Sequence, residues 1–263
     1  MLILLPPSEG KTAPARGKAL QPERLSFPTL LGARAKVLDA LVALCTTDGA
    51  AGLDEAVDVL GVGRTLSEEV ARNAWLREAH AARAEKVYTG VLYEALGLSS
   101  LEGPAKRRAT SWVAITSALF GLVRPSDHIP AYRLSGDVSL PGIGPVASFW
   151  REQLDDAVRE AAGKGLVVDL RSSTYTAFWR PGPDVARRVV TMRVLHEVDG
   201  TRKVVSHFNK ATKGRLVRDL LLDGSAPRSS ARLAELLQDL GWNVELGEAG
   251  RHGTQLDVVV TAL

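Results

Sequence analysis

The segment that decides the fold runs from Val204 to Arg218 and reads VVSHFNKATKGRLVR. Its first residues, Val204 and Val205, favour a strand because β-branched side chains suit a pleated, half-buried surface. Asn209 is predicted to be a helix N-cap, since its side chain can accept a hydrogen bond from a free amide of a first turn. The helix then presents an apolar face of Leu216, Val217, Leu220 and Leu221. The segment therefore predicts a strand that runs directly into a helix.

Two lysines, Lys210 and Lys213, are expected in the opening turn of this helix, beside Gly214. Helices generally carry Lys and Arg in their last turn, and a broken local rule is typical of a functional site. From Arg202 to Arg218 there are six Lys or Arg residues and no Asp or Glu. We interpret the pattern as an anion site at a helix start, where free N–H groups already favour negative charge. The alternative is a solvated basic face.

Composition places the chain among ordinary globular proteins. Its 263 residues are 45% hydrophobic and 24% charged, and the net charge of +3 is too small to predict nucleic-acid binding by itself. Strands are predicted for Leu2–Leu5, Leu166–Leu170, 188–198 and 202–208, the last two joined by a turn at Asp199-Gly200. Because the sequence shows no linker or repeat, we expect a single compact α/β domain over residues 1–263. A central mixed sheet would be flanked by helices.

The sequence also indicates a cellular location. Cys45 is the only cysteine, which rules out an intrachain disulfide and favours a reducing compartment. The apolar run Met1–Leu5 is too short for a signal peptide and lacks a basic lead. No run approaches the roughly 20 apolar residues that cross a bilayer. We therefore expect a cytoplasmic protein with no membrane partner.

The first predicted strand leads into Ser8 and Lys11. The sequence Gly10-Lys11-Thr12 is similar to the end of a phosphate-binding P-loop, but that motif requires a glycine where Leu5 stands. A P-loop is therefore rejected. Ser8 and Lys11 remain candidate ligand-binding residues, because α/β proteins bind ligands beyond the carboxyl ends of their strands. The alternative for Lys11 is a solvated loop lysine.

Two arginines, Arg124 and Arg133, lie in an apolar segment punctuated by prolines. A buried guanidinium needs a carboxylate or a phosphate as its partner. We therefore consider both arginines candidates for binding an anionic ligand. The alternative is an internal ion pair with Asp127.

Hydroxyl groups follow the strand predicted for Leu166–Leu170. Ser172, Ser173 and Tyr175 stand at the expected ligand edge of the sheet and are candidate ligand-binding residues. Serine-rich turns are also common helix caps, and that interpretation stays open.

A glycine turn in the first third of the chain reads Val59-Leu60-Gly61-Val62-Gly63-Arg64. It resembles the hairpin of helix-hairpin-helix DNA-binding modules, in which glycine amides contact a phosphate. Thr65 and Glu68 would form a capping box for the next helix. The element would occupy residues 56–80. The alternative is a glycine-rich connection between two helices.

Several catalytic chemistries find no support. The histidines do not have metal-ligand spacing, and neither a nucleophile elbow nor a dinucleotide-binding turn is present, so we expect no metal and no cofactor. Lys210, His207 and Tyr132 are the candidates for proton transfer.

Several short segments, spread over nearly the whole chain, occur together in one known family. They are Leu2-Ile3-Leu4, Pro7-Ser8, Lys11-Thr12, Tyr88-Thr89-Gly90, Phe120–Pro125 with Asp127, Pro130, Tyr132 and Arg133, Phe149-Trp150, and Phe208 with Lys210, Lys213 and Gly214. In these segments the chain resembles the YaaA family of peroxide stress proteins. The resemblance implies a cytosolic bacterial protein that limits damage by hydrogen peroxide and has a fold of its own type. It also implies DNA binding through a helix-hairpin-helix-like element and a positively charged cleft. The stretch Pro7–Thr12 departs from the shorter Ser-Pro-Ala-Lys-Thr of better-known members.

Two main hypotheses result. The first is DNA binding without sequence preference, with phosphate contacts from Lys210, Lys213, Arg215, Arg218 and Arg64 and from amides at Gly61 and Gly63. The second is an enzyme for a small phosphorylated or carboxylated substrate, clamped by Lys11, Arg124, Arg133 and Lys210 and oriented by Ser172 and Tyr175. A concave cation cluster favours the enzyme and a convex stripe favours DNA. A third hypothesis is a stress-induced binding protein without catalysis.

Overall fold

The structure, a computed structural model, describes residues 1–46, 49–198, 200–204 and 206–261, with the backbone alone at positions 206 and 207. The strands are β1 Leu2–Leu5, β2 Ala82–Arg83, β3 Val113–Ser117, β4 Gly121–Val123, β5 His128–Ile129, β6 Ser139–Leu140, β7 Gly144–Pro145, β8 Val167–Asp169, β9 Val189–Val198, β10 Thr201–Lys203, β11 Val244–Gly250 and β12 Gly253–Val260. The α-helices are α1 Leu31–Cys45, α2 Gly49–Val59, α3 Ser67–Arg72, α4 Ala84–Val87, α5 Val91–Leu96, α6 Gly103–Trp112, α7 Val146–Gln153, α8 Asp155–Ala162, α9 Ser173–Thr176, α10 Pro183–Ala186, α11 Ser206–Asp223 and α12 Ser230–Asp239. Short 3₁₀ helices cover Pro22–Arg24, Pro28–Leu30, Arg64–Leu66, Asn73–Trp75 and Leu98–Ser100.

Eight strands of the described chain form one mixed sheet, in the order β11-β12-β9-β8-β1-β3-β4, with β10 paired to β9. The strands β3, β1, β8, β9 and β12 run parallel to one another, while β4, β10 and β11 pair antiparallel with β3, β9 and β12. The predicted α/β class and the mixed sheet flanked by helices are confirmed.

The first strand occupies the centre of this sheet. In β1, Ile3 pairs with Val113 of β3 on one side and with Val168 of β8 on the other. All four residues of β1 are buried, which is what a continuous apolar run in a covered parallel strand predicts. Its neighbours β3 and β8 are buried throughout as well. The sheet therefore presents the carboxyl ends of three adjacent parallel strands at one edge.

Helix α11 is anchored against α5 through a close backbone approach at Gly214. A Cβ atom at this position would lie 2.3 Å from the carbonyl oxygen of Leu92, so only glycine permits the contact. The apolar face predicted for this helix is confirmed, because Leu216, Val217, Leu220 and Leu221 are all buried. This packing fixes the position of Lys210 and Lys213 relative to α5.

The predicted boundaries of the strand at 202–208 and of the helix that follows it are wrong. Strand β10 ends at Lys203, whose partner is His196 near the end of β9, and Val204 is 63% exposed. Helix α11 begins at Ser206, so Asn209 lies inside the helix and is not its N-cap. Because Val204 is mostly exposed, burial does not stabilise a strand there. The end of β10 is therefore set by tertiary packing and not by the strand propensity of valine. The turn residue Asp199 lies outside the described residues.

Candidate ligand-binding cleft

Loops from two neighbouring strands meet at the carboxyl edge of the sheet. Strand β1 continues into the loop of residues 6–11, and β8 continues into residues 170–175. Ligands of open α/β sheets bind at such an edge because loops from adjacent strands converge there. Both loops carry residues that the sequence marked as candidates.

A cleft of about 450 Å³ lies at this edge. Its polar lining includes Ser8, Glu9, Tyr93, Ser172, Tyr175 and Lys210. We call this the ligand-binding cleft. It brings together four of the predicted ligand-binding residues: Ser8, Ser172, Tyr175 and Lys210. Its volume lies in the range of pockets for small molecules.

The loop of residues 6–11 is held in place by its own hydrogen bonds and by contacts to neighbouring segments. The hydroxyl of Ser8 donates to the carbonyl oxygen of Gly10 at 2.5 Å and accepts from the N–H of Thr89 at 3.0 Å. The hydroxyl of Tyr93 donates to the carbonyl oxygen of Pro6 at 2.6 Å. One wall of the cleft is therefore formed before any ligand arrives.

Lys11 holds this loop from within and does not line the described cleft. Its Nζ donates to the carbonyl oxygen of Ser8 at 2.9 Å and lies 4.3 Å from the centre of the Tyr132 ring. Burial lowers the pKa of Lys11 from 10.5 to about 8, against the opposing effect of the Glu9 carboxylate. The predicted ligand lysine is thus a loop anchor with an unusually acidic ammonium group.

The hydroxyl of Tyr132 takes part in a buried hydrogen-bond network. It lies 2.7 Å from the Ser117 hydroxyl at the end of β3 and 3.1 Å from the Tyr88 hydroxyl. Burial is the main cause that raises the pKa of Tyr132 well above its ordinary value. At neutral pH this phenol stays protonated, so it can donate a hydrogen bond but accepts a proton poorly.

Arg133 is neutralised by protein carboxylates. Its Nε donates to Oε2 of Glu69 at 2.9 Å, Nη2 donates to the same oxygen, and Nη1 lies 3.6 Å from Oε2 of Glu9. The side chain of Asn73 receives the backbone N–H of Arg133 at 2.9 Å and donates to its carbonyl oxygen at 2.8 Å. Arg133 therefore acts on the cleft through Glu9, which belongs to the lining.

Arg124 lies at the opposite edge of the sheet. Its Nη1 donates to the carbonyl oxygen of Val113, the first residue of β3, and its guanidinium lies 5.0 Å from the Phe27 ring centre. In place of the alternative ion pair with Asp127, the carboxylate of this residue accepts the backbone N–H of Arg124 at 2.9 Å and the Ser26 hydroxyl at 2.7 Å. Arg124 and Lys210 are thus not brought together.

Sequence reasoning missed an ion pair beneath the second loop. In the fully buried pair Asp169–Arg171, Nε donates to Oδ1 at 2.9 Å and Nη2 to Oδ2 at 2.7 Å. The guanidinium also donates to the carbonyl oxygens of Tyr175 at 3.0 Å and Trp179 at 2.9 Å. The available signal was a charge at each end of Leu170, directly after a buried strand. The pair fixes the loop that carries Ser172 and Tyr175, while Ser173 opens α9 as an exposed residue outside the described lining.

Comparison with known proteins identifies the family. A family model described as peroxide stress protein YaaA matches residues 1–245. The chain belongs to the YaaA family of peroxide stress proteins. It is 51% identical to a UPF0246 protein of Streptomyces coelicolor, with 99% of this chain and 98% of the relative covered. A UPF0246 protein of Corynebacterium efficiens is 41% identical, with 98% of this chain and all of the relative covered.

Helix α11 of this YaaA-family protein uses its cations in two ways. Lys213 donates from Nζ to the carbonyl oxygen of Leu170 at 2.9 Å, and burial lowers its pKa against the opposing effect of Asp169. Arg218 donates from Nη1 to three oxygens that end α5 and the next turn: the carbonyls of Leu96 at 3.0 Å and Gly97 at 3.2 Å, and the hydroxyl of Ser100 at 3.1 Å. Lys210 and Arg215 are exposed. The side chain of His207, the remaining catalytic candidate, lies outside the described residues.

The glycine turn connects α2 to α3 through a 3₁₀ turn. The N–H of Gly61 donates to Asp58 O at 3.1 Å and that of Val62 to Val57 O at 3.2 Å, so both amides close the end of α2. Arg64 lies 3.6 Å from Asp54. The capping box is wrong, because Thr65 lies within the 3₁₀ turn and α3 begins at Ser67 without a side-chain cap. A helical hairpin is present, and its role in DNA binding stays a prediction.

The described part of the chain contains neither a cluster of metal ligands nor a membrane-spanning helix. No group of three or more His, Cys, Asp or Glu side chains there could hold a metal ion. No helix in that part is long and apolar enough to cross a membrane.

Proposed function

We propose that this peroxide stress protein binds a small substrate with a phosphate or carboxylate group in the ligand-binding cleft. The observation that supports this most directly is the convergence of Ser8, Ser172, Tyr175 and Lys210 on one concave surface. From the sequence, cations gathered in a concave site would favour a small-molecule enzyme, and cations along a convex stripe would favour DNA binding. Lys213 and Arg218 were both candidates for contacts to DNA. Each of them donates to a backbone oxygen of the protein.

The charge of the cleft limits the ligand. Lys210 is the cation in the described lining and Glu9 the carboxylate, and Glu9 is drawn towards Arg133. Lys210 therefore offers one point charge to an anionic group, while hydroxyls beside it can bind further oxygens. This arrangement favours a ligand with one anionic end and several hydrogen-bonding groups. For an acid–base step, Lys210 is the proton-transfer candidate that the described cleft contains.

A ligand screen tests this proposal. Thermal unfolding is followed with a panel of nucleotides, sugar phosphates and small carboxylic acids, and each compound that raises Tm is titrated against Lys210→Ala. We expect about tenfold weaker binding, because a charge-assisted hydrogen bond is lost. Lys36→Ala is the matched control, since Lys36 is an exposed lysine of α1. A panel without any stabilising compound, or equal affinity of Lys210→Ala and the wild type, would contradict the proposal.

DNA binding is the second candidate function, and the exposed cations of α11 favour it. In the described part of the chain, neither Lys210 nor Arg215 forms an ion pair. The variant to compare with wild type is therefore Lys210→Ala/Arg215→Ala, because Lys213 and Arg218 are already bound to the protein. We expect weaker duplex binding and a salt slope smaller by about two. Lys36→Ala/Arg107→Ala removes two exposed charges elsewhere and should leave the slope unchanged.

A further inference from the structure

A second and larger cavity, of about 750 Å³, lies away from the ligand-binding cleft. It is enclosed by the segment of residues 17–26, strand β2, the start of α4, and residues 126–128 at β5. Five basic side chains line it: Lys18, Arg24, Arg83, Lys86 and His128. We call it the basic cavity. None of these five residues belongs to the described lining of the cleft.

The carboxylates near the basic cavity are already occupied. Asp127 lies in the lining but is buried and accepts from the Ser26 hydroxyl at 2.7 Å and from the Arg124 N–H at 2.9 Å. Glu85 lies 3.0 Å from Arg83 Nε and receives Lys106 Nζ at 2.7 Å. The oxygens of Asp127 are thus held by donors within the wall, and the charge of Glu85 is shared by Arg83 and Lys106.

Three cations of the lining are exposed and form no ion pair in the described part of the chain. They are Lys18, Arg24 and Lys86. Like charges gathered in a concave site repel one another and create a positive potential that is stronger than on a convex surface. An anion that enters relieves this repulsion, so the site favours binding of negative charge. His128 adds ring nitrogens that can donate to the same anion.

The walls of the basic cavity are preformed. The N–H of Ala81 donates to the carbonyl oxygen of Lys18 at 2.9 Å, and a Cβ atom on Gly17 would lie 2.5 Å from the carbonyl oxygen of Ala81. Arg83 and His128 are paired across the β2–β5 ladder. The backbone that carries the cations is thus fixed from both sides, which lowers the entropy cost of binding.

We propose that the basic cavity binds a phosphate-bearing ligand with at least two negative charges. Arginine presents a planar fork that matches phosphate oxygens, and lysine adds a point charge. The volume of 750 Å³ suits a molecule of nucleotide size. We infer from this volume that the ligand is a free compound that carries a pyrophosphate group. This site is independent of the function proposed for the cleft.

Calorimetric titration of the full chain tests the proposal with three probes: inorganic pyrophosphate, a nucleoside triphosphate, and a duplex oligonucleotide. Each is measured at about 50 and 200 mM salt, because phosphate contacts weaken as salt rises. The test variants are Lys18→Ala/Lys86→Ala and, independently, Arg24→Gln. The control is Lys36→Ala/Arg107→Ala, which removes two exposed cations outside both sites. Thermal unfolding verifies that each variant folds.

We expect the double variant to lose about tenfold or more in affinity, Arg24→Gln to lose about fivefold, and the control to stay within about twofold. Losses with pyrophosphate and the triphosphate assign the site to a free phosphorylated compound. Losses with the oligonucleotide alone would contradict the proposal, because the cavity would then contact a nucleic-acid backbone and not a free compound. The proposal is overturned if no probe binds wild type at millimolar concentration, or if the control loses as much affinity as the test variants.

Discussion

Three cations behind the lining of the ligand-binding cleft are bound to oxygens of the protein itself, whereas three cations of the basic cavity are exposed to solvent. Lys11 donates to Ser8 O, Arg133 to Glu69, and Arg171 to Asp169. Lys18, Arg24 and Lys86 of the basic cavity have no such partner in the ranges described. The two regions therefore use the same residue types for opposite purposes.

Burial explains the difference. A charge removed from water is costly unless protein groups replace its hydration, so a cation that follows a buried strand must find a partner in the fold. Lys11 and Arg171 stand directly beyond β1 and β8 and meet this requirement. Lys18 and Arg24 lie in an exposed segment rich in proline, where water supplies the hydration. Lys11, the cation of the Gly10-Lys11-Thr12 motif, is thus bound within the protein.

The largest expected effect comes from breaking the buried pair beneath the cleft. Arg171→Ala leaves the carboxylate of Asp169 buried without its partner, so we expect the free energy of unfolding to fall by about 3–5 kcal/mol. Arg24→Ala, at the basic cavity, should change it by less than about 0.5 kcal/mol. Urea unfolding of both variants gives the two values. Similar losses would show that the two regions do not differ as described.

The fold was largely predictable from local pattern. The continuous apolar run at Leu2–Leu5 predicted the central strand, and the alternation before Asp199-Gly200 predicted β9, because burial and pleat impose these periods directly. The start of α11 was not predictable, since Val204 has a strand propensity that the tertiary structure overrides. Local sequence does not contain the packing at Gly214 that positions this helix.

Two arginines of α11 allow a hydrogen-bonded cation, Arg218, to be compared with an exposed cation, Arg215, on the same helix. Arg218→Met removes hydrogen bonds to Leu96, Gly97 and Ser100, and we expect a loss of about 1–2 kcal/mol in the free energy of unfolding. Arg215→Met, at an exposed position, should change it by less than about 0.5 kcal/mol. Thermal and urea unfolding measure both. If the two variants are equally stable, Arg218 is not an anchor of α5.

The site was predictable in part. Ser8, Ser172, Tyr175 and Lys210 were identified because topology places strand ends and their loops at one edge. The partners of the buried cations were not, since Glu69 is 64 residues from Arg133 in sequence and no local pattern joins them. The basic cavity was not predictable from the sequence, because its lining residues, from Lys18 to His128, belong to segments that only the fold brings together.

The smallest expected effect is a pH dependence caused by Lys11. Burial lowers its pKa from 10.5 to about 8, so between these values the unfolded chain binds more protons than the native one. The free energy of unfolding should therefore rise with pH through this window. Below pH 8 the ammonium is protonated in both states and the full cost of burying it is present.

Lys11→Met removes this titration. The stability of wild type relative to Lys11→Met should rise from pH 7 to pH 10, by an amount on the order of 1 kcal/mol because the partly exposed ammonium is screened by solvent. Urea unfolding at three pH values across the window measures this difference. Lys36→Met, at an exposed lysine, should run parallel to wild type. If the free energy of unfolding of Lys11→Met also changes with pH in parallel to wild type, burial does not lower the pKa of Lys11. The contrast between a buried cation beside the cleft and the exposed cations of the basic cavity would then not hold for Lys11.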